Sequence, residues 1–122
     1  MTRRMTVHRP GEIPVMHPTG PVFSGEIEAF RLVSGQEGQW TRVSLVTFAN
    51  NATTTPHIHT MDQLLLIVSG EGLVTSDGAE YVVQPGDAVF TPAGVAHTHG
   101  ASPRSGHMSH FVVMGEGDTE AV

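Results

Sequence analysis

The sequence lacks cysteine and lysine altogether, and it contains no long apolar run. Without cysteine there can be no disulfides, no thiolate metal ligands and no cysteine nucleophile. Without lysine, Schiff-base catalysis and a Walker-type phosphate site are excluded. The formal net charge of −6 argues against nucleic acid as a partner, because that binding depends on neutralising phosphates. No apolar stretch approaches the roughly 20 residues of a membrane span, so we expect no membrane partner.

The length and the two ends of the chain predict one domain with two appendages. A sequence of 122 residues has room for a single core. Four prolines predict an extended N-terminal arm over residues 1–21, and the domain proper is expected over 22–115. Residues 116–122 are predicted to be a flexible, frayed acidic tail. The start of the chain carries arginine with no apolar segment behind it, so a cytoplasmic location is the default expectation.

Between these ends, short β-type segments alternate with glycine- and proline-containing turns. Period-2 alternation and β-branched residues predict strands. The predicted strands span residues 23–33, 40–48, 53–59, 63–68, 73–75, 80–84, 88–91, 95–100 and 107–114. Residues 34–38 are predicted to form a turn, Asn50 and Asn51 a loop, and Ser76-Asp77-Gly78 a tight hairpin. The spacing, without a convincing helix, predicts an all-β barrel or double-sheet jelly roll.

The stretch from His57 to Gln63 carries the strongest chemical signal. A strand places residues i and i+2 on one face, roughly 6.5 Å apart, so His57 and His59 point the same way. Gln63 has the same parity and an amide oxygen to offer. A single histidine at a strand end usually finds one hydrogen-bond partner. For a pair at this spacing, with more histidines downstream, we favour a metal ion as the common partner.

Further histidines follow near the C-terminus. His97 and His99 repeat the i, i+2 spacing, and His110 lies on the last predicted strand. If one face of these strands lines the barrel interior, all three could join the same cavity. His107 follows a glycine in a loop and is expected at the surface. His8 and His17, in the proline-rich arm, are not expected to take part.

With these residues in place, the sequence resembles a small single-domain cupin. The first motif reads His57-x-His59-x3-Gln63-x6-Gly70, and the second reads Gly86-x5-Pro92-x-Gly94-x2-His97. The resemblance implies a cupin jelly-roll barrel, a homodimer or homotetramer, and one divalent metal held by His57, His59, Gln63 and His97. Asn51 and Ala101 depart from the family pattern, which usually has glycine and often asparagine there.

The third departure from the cupin pattern, Gln63 in place of the usual glutamate, has a physical consequence. With three neutral imidazoles and a neutral amide, the ion keeps its full 2+ charge. It is then a stronger Lewis acid and attracts anions more strongly, whereas oxidised states of the metal are less well stabilised. Nitrogen and oxygen donors suit manganese, iron, zinc, nickel or cobalt.

Within the cupins, the sequence is similar to the bacterial group that includes manganese-dependent hydroxynitrile lyases. The shared run is His97-Thr98-His99-Gly100-Ala101-Ser102-Pro103, with Thr54 three residues before the first metal histidine and His110 on the final strand. The likeness implies manganese as the first choice of metal and Thr54, His99 and His110 as catalytic candidates. Met114 stands where the group has a polar residue.

Three functions follow from this resemblance. The first is a lyase acting on small hydroxylated or carbonyl substrates such as cyanohydrins, with His110 or His99 as general base and Thr54 orienting the substrate. Alternatively, His99 and His110 support the ligands by ring N–H bonds. The second function is an oxygen-dependent dioxygenase, which the neutral Gln63 disfavours.

The third function is non-catalytic binding of a small apolar ligand in a cavity lined by Met61, Leu65, Ile67, Phe90 and Phe111. These apolar residues are equally those of an ordinary core. The histidines could also fill the interior through mutual hydrogen bonds with no metal at all, although many of them would then lack acceptors.

Overall fold

The computed structural model describes residues 4–34 and 41–122. It contains one short 3-10 turn, Pro10–Glu12, and ten strands. The strands are β1 (Phe23–Val33), β2 (Thr41–Thr54), β3 (His57–His59), β4 (Gln63–Gly70), β5 (Gly72–Ser76), β6 (Ala79–Val83), β7 (Ala88–Thr91), β8 (Thr98–Ala101), β9 (Met108–Gly115) and β10 (Thr119–Ala121). The predicted turn at 34–38 and the predicted strand start at Trp40 lie largely outside the described residues.

The strands form an all-β structure, as the sequence predicts. One sheet runs in the order β6-β5-β8-β2-β9-β4-β7, with β1 paired to β2, and β3 pairs with β10 in a second, two-stranded sheet. All of the pairings are antiparallel. The large sheet curls into a half-barrel whose concave face carries the core. Within the described ranges, no helix is long and apolar enough to span a bilayer.

The core arises from alternation along the strands. On β4, Gln63, Leu65 and Ile67 are buried, whereas Leu66 and Val68 between and beyond them are exposed. They meet the inward side chains of β2 and β9, among which Phe48 and Met108 are fully buried. Burying such side chains contributes about 1.5–3 kcal/mol each. Gln63 therefore lies on the inner face because it has the parity of the core residues of its strand.

Two strand boundaries differ from the prediction. The segment 53–59 is two strands, because Pro56, which lacks an amide hydrogen, separates β2 from β3. The strand predicted at 95–100 is β8, Thr98–Ala101, preceded by a single bridge between His97 and His57. The predicted two-residue hairpin is confirmed: Asp77 and Gly78 have φ of 52° and 76°, as a type I′ turn requires.

Asn50 and Asn51 do not form a loop but a bulge inside β2. Both have left-handed φ angles, 52° and 63°, which asparagine tolerates better than most residues. The register with β1 shifts at this point, between Ser24 and Glu26. The bulge lets β2 continue as one 14-residue strand that borders both β1 and β9.

The tail is not frayed throughout. Thr119, Glu120 and Ala121 pair with His59, Ile58 and His57 as strand β10. The amide hydrogens and carbonyls of β3 would otherwise lack partners on that edge, and pairing satisfies them. The expectation of a flexible tail was therefore wrong for Thr119–Ala121, because charge content says nothing about backbone pairing.

Candidate metal centre and adjoining cavity

Two of the candidate ligands are brought together by backbone hydrogen bonds. His57 and His97 exchange both of their amide-to-carbonyl bonds, each 3.1 Å long. Residues opposed in this way across an antiparallel pair project their side chains to the same side. The two imidazole centroids are accordingly 4.3 Å apart, and that of His59, two residues along β3, lies 4.8 Å from His57. One possible ligand atom from each of the three lies within 4.8 Å of the others.

The Nδ1 atom of each ring is occupied by a partner on the protein. His57 donates to the Thr55 carbonyl over 2.7 Å, and His97 donates to the Val95 carbonyl over 2.9 Å. Nδ1 of His59 lies 2.8 Å from the Thr119 hydroxyl, which can accept its hydrogen. A proton held on Nδ1 places the lone pair on Nε2, which is the tautomer that binds a metal. Three such lone pairs in one buried cluster fit a divalent cation.

Gln63 lies against the same cluster. Its Nε2 is 3.0 Å from Nε2 of His59, and its Oε1 is 3.2 Å from Nε2 of His97. Because the His97 hydrogen is on Nδ1, its Nε2 lone pair faces the amide oxygen of Gln63. Two electron-pair donors at this distance repel each other unless a cation lies between them. The four residues expected to bind the metal are therefore neighbours, and their donor atoms suit one.

Burial keeps the three imidazoles uncharged. Desolvation lowers the pKa of His57 and of His97, although the hydrogen bonds to Thr55 and Val95 partly oppose it. Desolvation, followed by the charges of His57, His97 and Arg42, lowers the pKa of His59 to about 4. Metal ligands must be neutral imidazoles, so the cluster is already in the required protonation state at neutral pH.

The remaining candidates form a second group beside the first. His99 Nδ1 and His110 Nε2 are 3.1 Å apart, so one ring donates to the other. The Thr54 hydroxyl accepts the backbone N–H of His99 over 3.0 Å. No member of this group holds the Nδ1 atom of a ligand ring, since those atoms have the partners described above. Support of the ligands through ring N–H bonds is thus not the role that the geometry gives to His99 and His110.

The geometry also leaves two nitrogens of this pair without a partner. His99 Nε2 and His110 Nδ1 are buried and form no hydrogen bond within the described part of the protein. Desolvation lowers the pKa of His110 to about 4, and desolvation with the His110 charge lowers that of His99 well below 6.5. The pair is therefore neutral at pH 7, with two buried nitrogens that form no hydrogen bond within the described residues.

The close fit of β8 against β2 fixes this arrangement. Gly100 pairs with Thr53, and a Cβ atom at Gly100 would lie only 2.5 Å from the Thr53 Cα. Only glycine permits this approach, which brings the next residue, Thr54, within reach of the His99 amide. The Thr53 hydroxyl also donates to the His99 carbonyl over 3.2 Å.

Both groups border a cavity of about 420 Å³. Its chemically active lining comprises His57, His59, Gln63, His99, His110, Thr54, Thr119, Arg31, Arg42 and Ser44. The apolar part of the wall comes from β1, β2, β9 and the predicted N-terminal arm, including Phe23, Val46 and Val112. His97 contributes to the cluster but not to this wall. His107 is exposed, as predicted, and His8 is exposed in the arm.

The five apolar residues named for a ligand cavity do not line this one. Leu65 and Ile67 belong to the core, whereas Met61 and Phe90 are exposed. Parity explains the error, because Phe111 alternates with the inward His110 and Val112 along β9. None of the five therefore lines this cavity, but Leu65 and Phe90 border a separate cavity of about 190 Å³ together with His97 and His99.

Two residues of the candidate site were missed from the sequence. Thr119 contacts His59 from a segment predicted to be frayed, and no local signal marks it. Arg42 lies on β2 with the parity of Val46 and Phe48, both buried, so its inward direction was available from the pattern. Its place beside the cluster of His57, His59 and His97 depends on the strand order, which the sequence pattern does not provide.

Comparison with known proteins agrees with this architecture. Residues 44–115 match the family model described as the cupin domain. A cupin-like protein from Thermotoga maritima has a crystal structure that superposes with a TM-score of 0.80 at 28% identity, covering 87% of this chain and 83% of that one.

Two named relatives are lyases. The (R)-mandelonitrile lyase of Granulicella tundricola is 31% identical over 101 residues, which is 82% of this chain and 76% of the relative. The dimethylsulfoniopropionate lyase DddW of Ruegeria pomeroyi is 27% identical over 119 residues, covering 84% and 76% respectively. The chain is thus similar to two proteins that are named as lyases of different substrates.

Proposed function

This chain belongs to the cupin family, and from that premise we propose that it is a metal-dependent lyase acting on small hydroxylated or carbonyl compounds, with cyanohydrins as the first substrates to test. One observation carries the proposal. The cluster of three imidazoles, His57, His59 and His97, lies beside the hydrogen-bonded pair His99 and His110, and both groups contribute side chains to the wall of one cavity. An electrophile and a base on adjoining surfaces are what a lyase of this kind requires. The similarity to the mandelonitrile lyase of Granulicella tundricola supports the choice of substrate.

In this proposal His57, His59, His97 and Gln63 hold one divalent metal, with manganese as the first candidate and iron, zinc, nickel and cobalt as alternatives. The donor set, three imidazole nitrogens and one amide, is compatible with all of them. The metal would supply electrophilic polarisation of a substrate oxygen or nitrile. The hydrogen bonds to Thr55, Val95 and Thr119 orient the rings for that purpose.

His110 and His99 act as the base. Neutral at pH 7, the pair takes the proton of the substrate hydroxyl on one of its unpartnered nitrogens. The carbon–carbon bond to the nitrile then breaks, its electron pair leaves with cyanide, and the oxygen becomes a carbonyl. Returning the proton to cyanide completes the balance. Thr54 holds the backbone of His99 and so positions its ring.

The first test is cleavage of (R)- and (S)-mandelonitrile by protein depleted of metal and reloaded with manganese. Release of benzaldehyde is followed by ultraviolet absorbance. We expect turnover that depends on the metal and falls at least 100-fold in His110→Gln, with the manganese content unchanged. His107→Gln is the matched control, since His107 is an exposed histidine immediately before β9.

The outcomes separate the candidate functions. Unchanged turnover in His110→Gln would overturn the assignment of the base. Oxygen consumption by the iron-loaded protein with catechol or diketone substrates, without cyanohydrin cleavage, would favour a dioxygenase. Substrate binding with neither reaction would favour a binding module. A protein that takes up no manganese, iron or zinc would contradict the proposed centre itself.

We also propose that the protein is a homodimer or homotetramer in the cytoplasm. An apolar surface on β6 and β7 supports self-association, because Tyr81, Val82 and Phe90 are 59%, 57% and 62% exposed. Tyr81 and Phe90 also border one surface recess, and exposed apolar patches mark interaction sites.

A further inference from the structure

The cavity is cationic in a protein whose net charge is negative. Two of its six arginines, Arg31 and Arg42, line the wall, and no acidic side chain is among the described residues that do so. The metal donors proposed above are all neutral, so a bound divalent ion keeps its full charge. A site with a 2+ ion, two guanidinium groups and no lining carboxylate attracts an anion.

Arg42 is the better placed of the two arginines. It lies opposite Met114 on β9, and Met114 in turn lies opposite Gln63 on β4. Neighbouring strands are about 4.8 Å apart, so the backbone positions of Arg42 and Gln63 are two strand spacings from each other. An arginine side chain spans most of that distance. The Arg42 guanidinium is also close enough to His59 to contribute to its lowered pKa.

The contacts of Arg42 leave its donors available. Its side chain is only 20% exposed, and Nη1 lies 3.7 Å from Glu116, whose own side chain is 55% exposed. A long ion pair to an exposed carboxylate contributes little. Nη2 is 3.7 Å from the Met114 sulfur, which is a weak acceptor. Within the described residues these two contacts do not satisfy the planar fork of a guanidinium, which binds carboxylates through two parallel hydrogen bonds.

The same cavity also has apolar side chains in its wall, among them Phe23, Val46 and Val112. Arg31 is exposed at the rim, where its Nε donates to Ser44 over 3.1 Å. A ligand that fits has an apolar body, one end at the cluster of His57, His59 and His97, and an anionic end at Arg42.

We propose that the substrate of this protein is a small carboxylic acid whose carboxylate is bound by Arg42, with Arg31 attracting it to the cavity. The inference rests on the proposed function for the location of the reacting end, and within the small hydroxylated or carbonyl compounds proposed above it selects those that carry a carboxylate. Binding of the carboxylate by Arg42 does not itself require turnover, so the two proposals can fail separately.

The test uses a pair of ligands that differ in one charge. Phenylacetate and phenylacetamide have nearly the same shape, and their dissociation constants are measured by isothermal titration calorimetry on the manganese-loaded protein. We expect phenylacetate to bind more tightly and Arg42→Gln to weaken it about tenfold or more, because charge-assisted hydrogen bonds are lost. Phenylacetamide should change less than about threefold, and Arg42→Lys should recover part of the affinity for the acid.

The control is Arg9→Gln, which removes the same charge from an exposed position in the N-terminal arm. Equal weakening by Arg9→Gln would show a general charge effect and overturn the role of Arg42. So would equal loss for both ligands in Arg42→Gln, or no loss for either. If affinity for phenylacetate disappears on removing the metal and is unaffected by Arg42→Gln, the metal and not Arg42 holds the carboxylate. Cyanohydrin turnover is measured separately, so its absence leaves this result unchanged.

Discussion

The buried His110 makes the metal-free protein sensitive to mild acid. Its side chain is fully buried, and burial lowers its pKa from 6.5 to about 4. Between these two values the unfolded chain binds a proton that the folded chain excludes, so stability falls as the pH falls. Above about pH 6.5 His110 is unprotonated in both the folded and the unfolded chain, so it no longer changes the free energy of unfolding with pH. At pH 5 this one group lowers the free energy of unfolding by about 2 kcal/mol, since each pKa unit corresponds to about 1.36 kcal/mol.

The assay is urea unfolding of chelator-treated protein at pH 7.5 and at pH 5, followed by circular dichroism. The variant His110→Gln has no titratable group at position 110. We therefore expect its loss of stability between the two pH values to be about 2 kcal/mol smaller than that of the parent protein. His107→Gln, at an exposed position, should lose as much as the parent. The comparison is of differences within each variant, so a general destabilisation by the substitution cancels. Equal pH dependence in His110→Gln and the parent would refute the reasoning.

Three further substitutions test the rest of the structure. Thr119→Val removes the hydroxyl that lies 2.8 Å from His59 Nδ1, so manganese affinity in a chelator competition should fall about tenfold or more. Gly100→Ala places a Cβ atom 2.5 Å from a backbone atom of β2 and should cost about 2 kcal/mol or more in urea unfolding, whereas Gly11→Ala, with nothing within 4 Å, should cost almost nothing. Phe90→Glu should shift the sedimentation coefficient towards that of a monomer.

The sequence predicted the candidate centre well where the relevant information is local. The shared face of His57 and His59 follows from strand parity, and Gln63 follows from the same count along β4. The approach of His97 is different, since it depends on a backbone bridge to His57 across a long stretch of chain. The motif resemblance anticipated that contact, but periodicity alone could not.

The failures of prediction share a cause. The pairing of Thr119 with His59, and the position of Arg42 beside the same cluster, result from strand order and edge pairing, which residue-level patterns do not encode. The bulge at Asn50 and Asn51 is similar, because the same residue types serve in loops and in left-handed bulge positions. Local chemistry identified the candidate site residues, and the three-dimensional pairing determined which of them meet.

The bridge between His57 and His97 has a consequence for the whole domain. A cation shared by these residues would cross-link β3 to the segment before β8, enclosing β4, β5, β6 and β7 in one loop of the chain. Closing a loop of roughly 40 residues lowers the conformational entropy of the unfolded chain. In the chain-entropy model that is applied to disulfides, this raises the free energy of unfolding by about 4 kcal/mol. In a chain with no cysteine, such a reversible metal cross-link would make the stability of the barrel depend on the supply of metal.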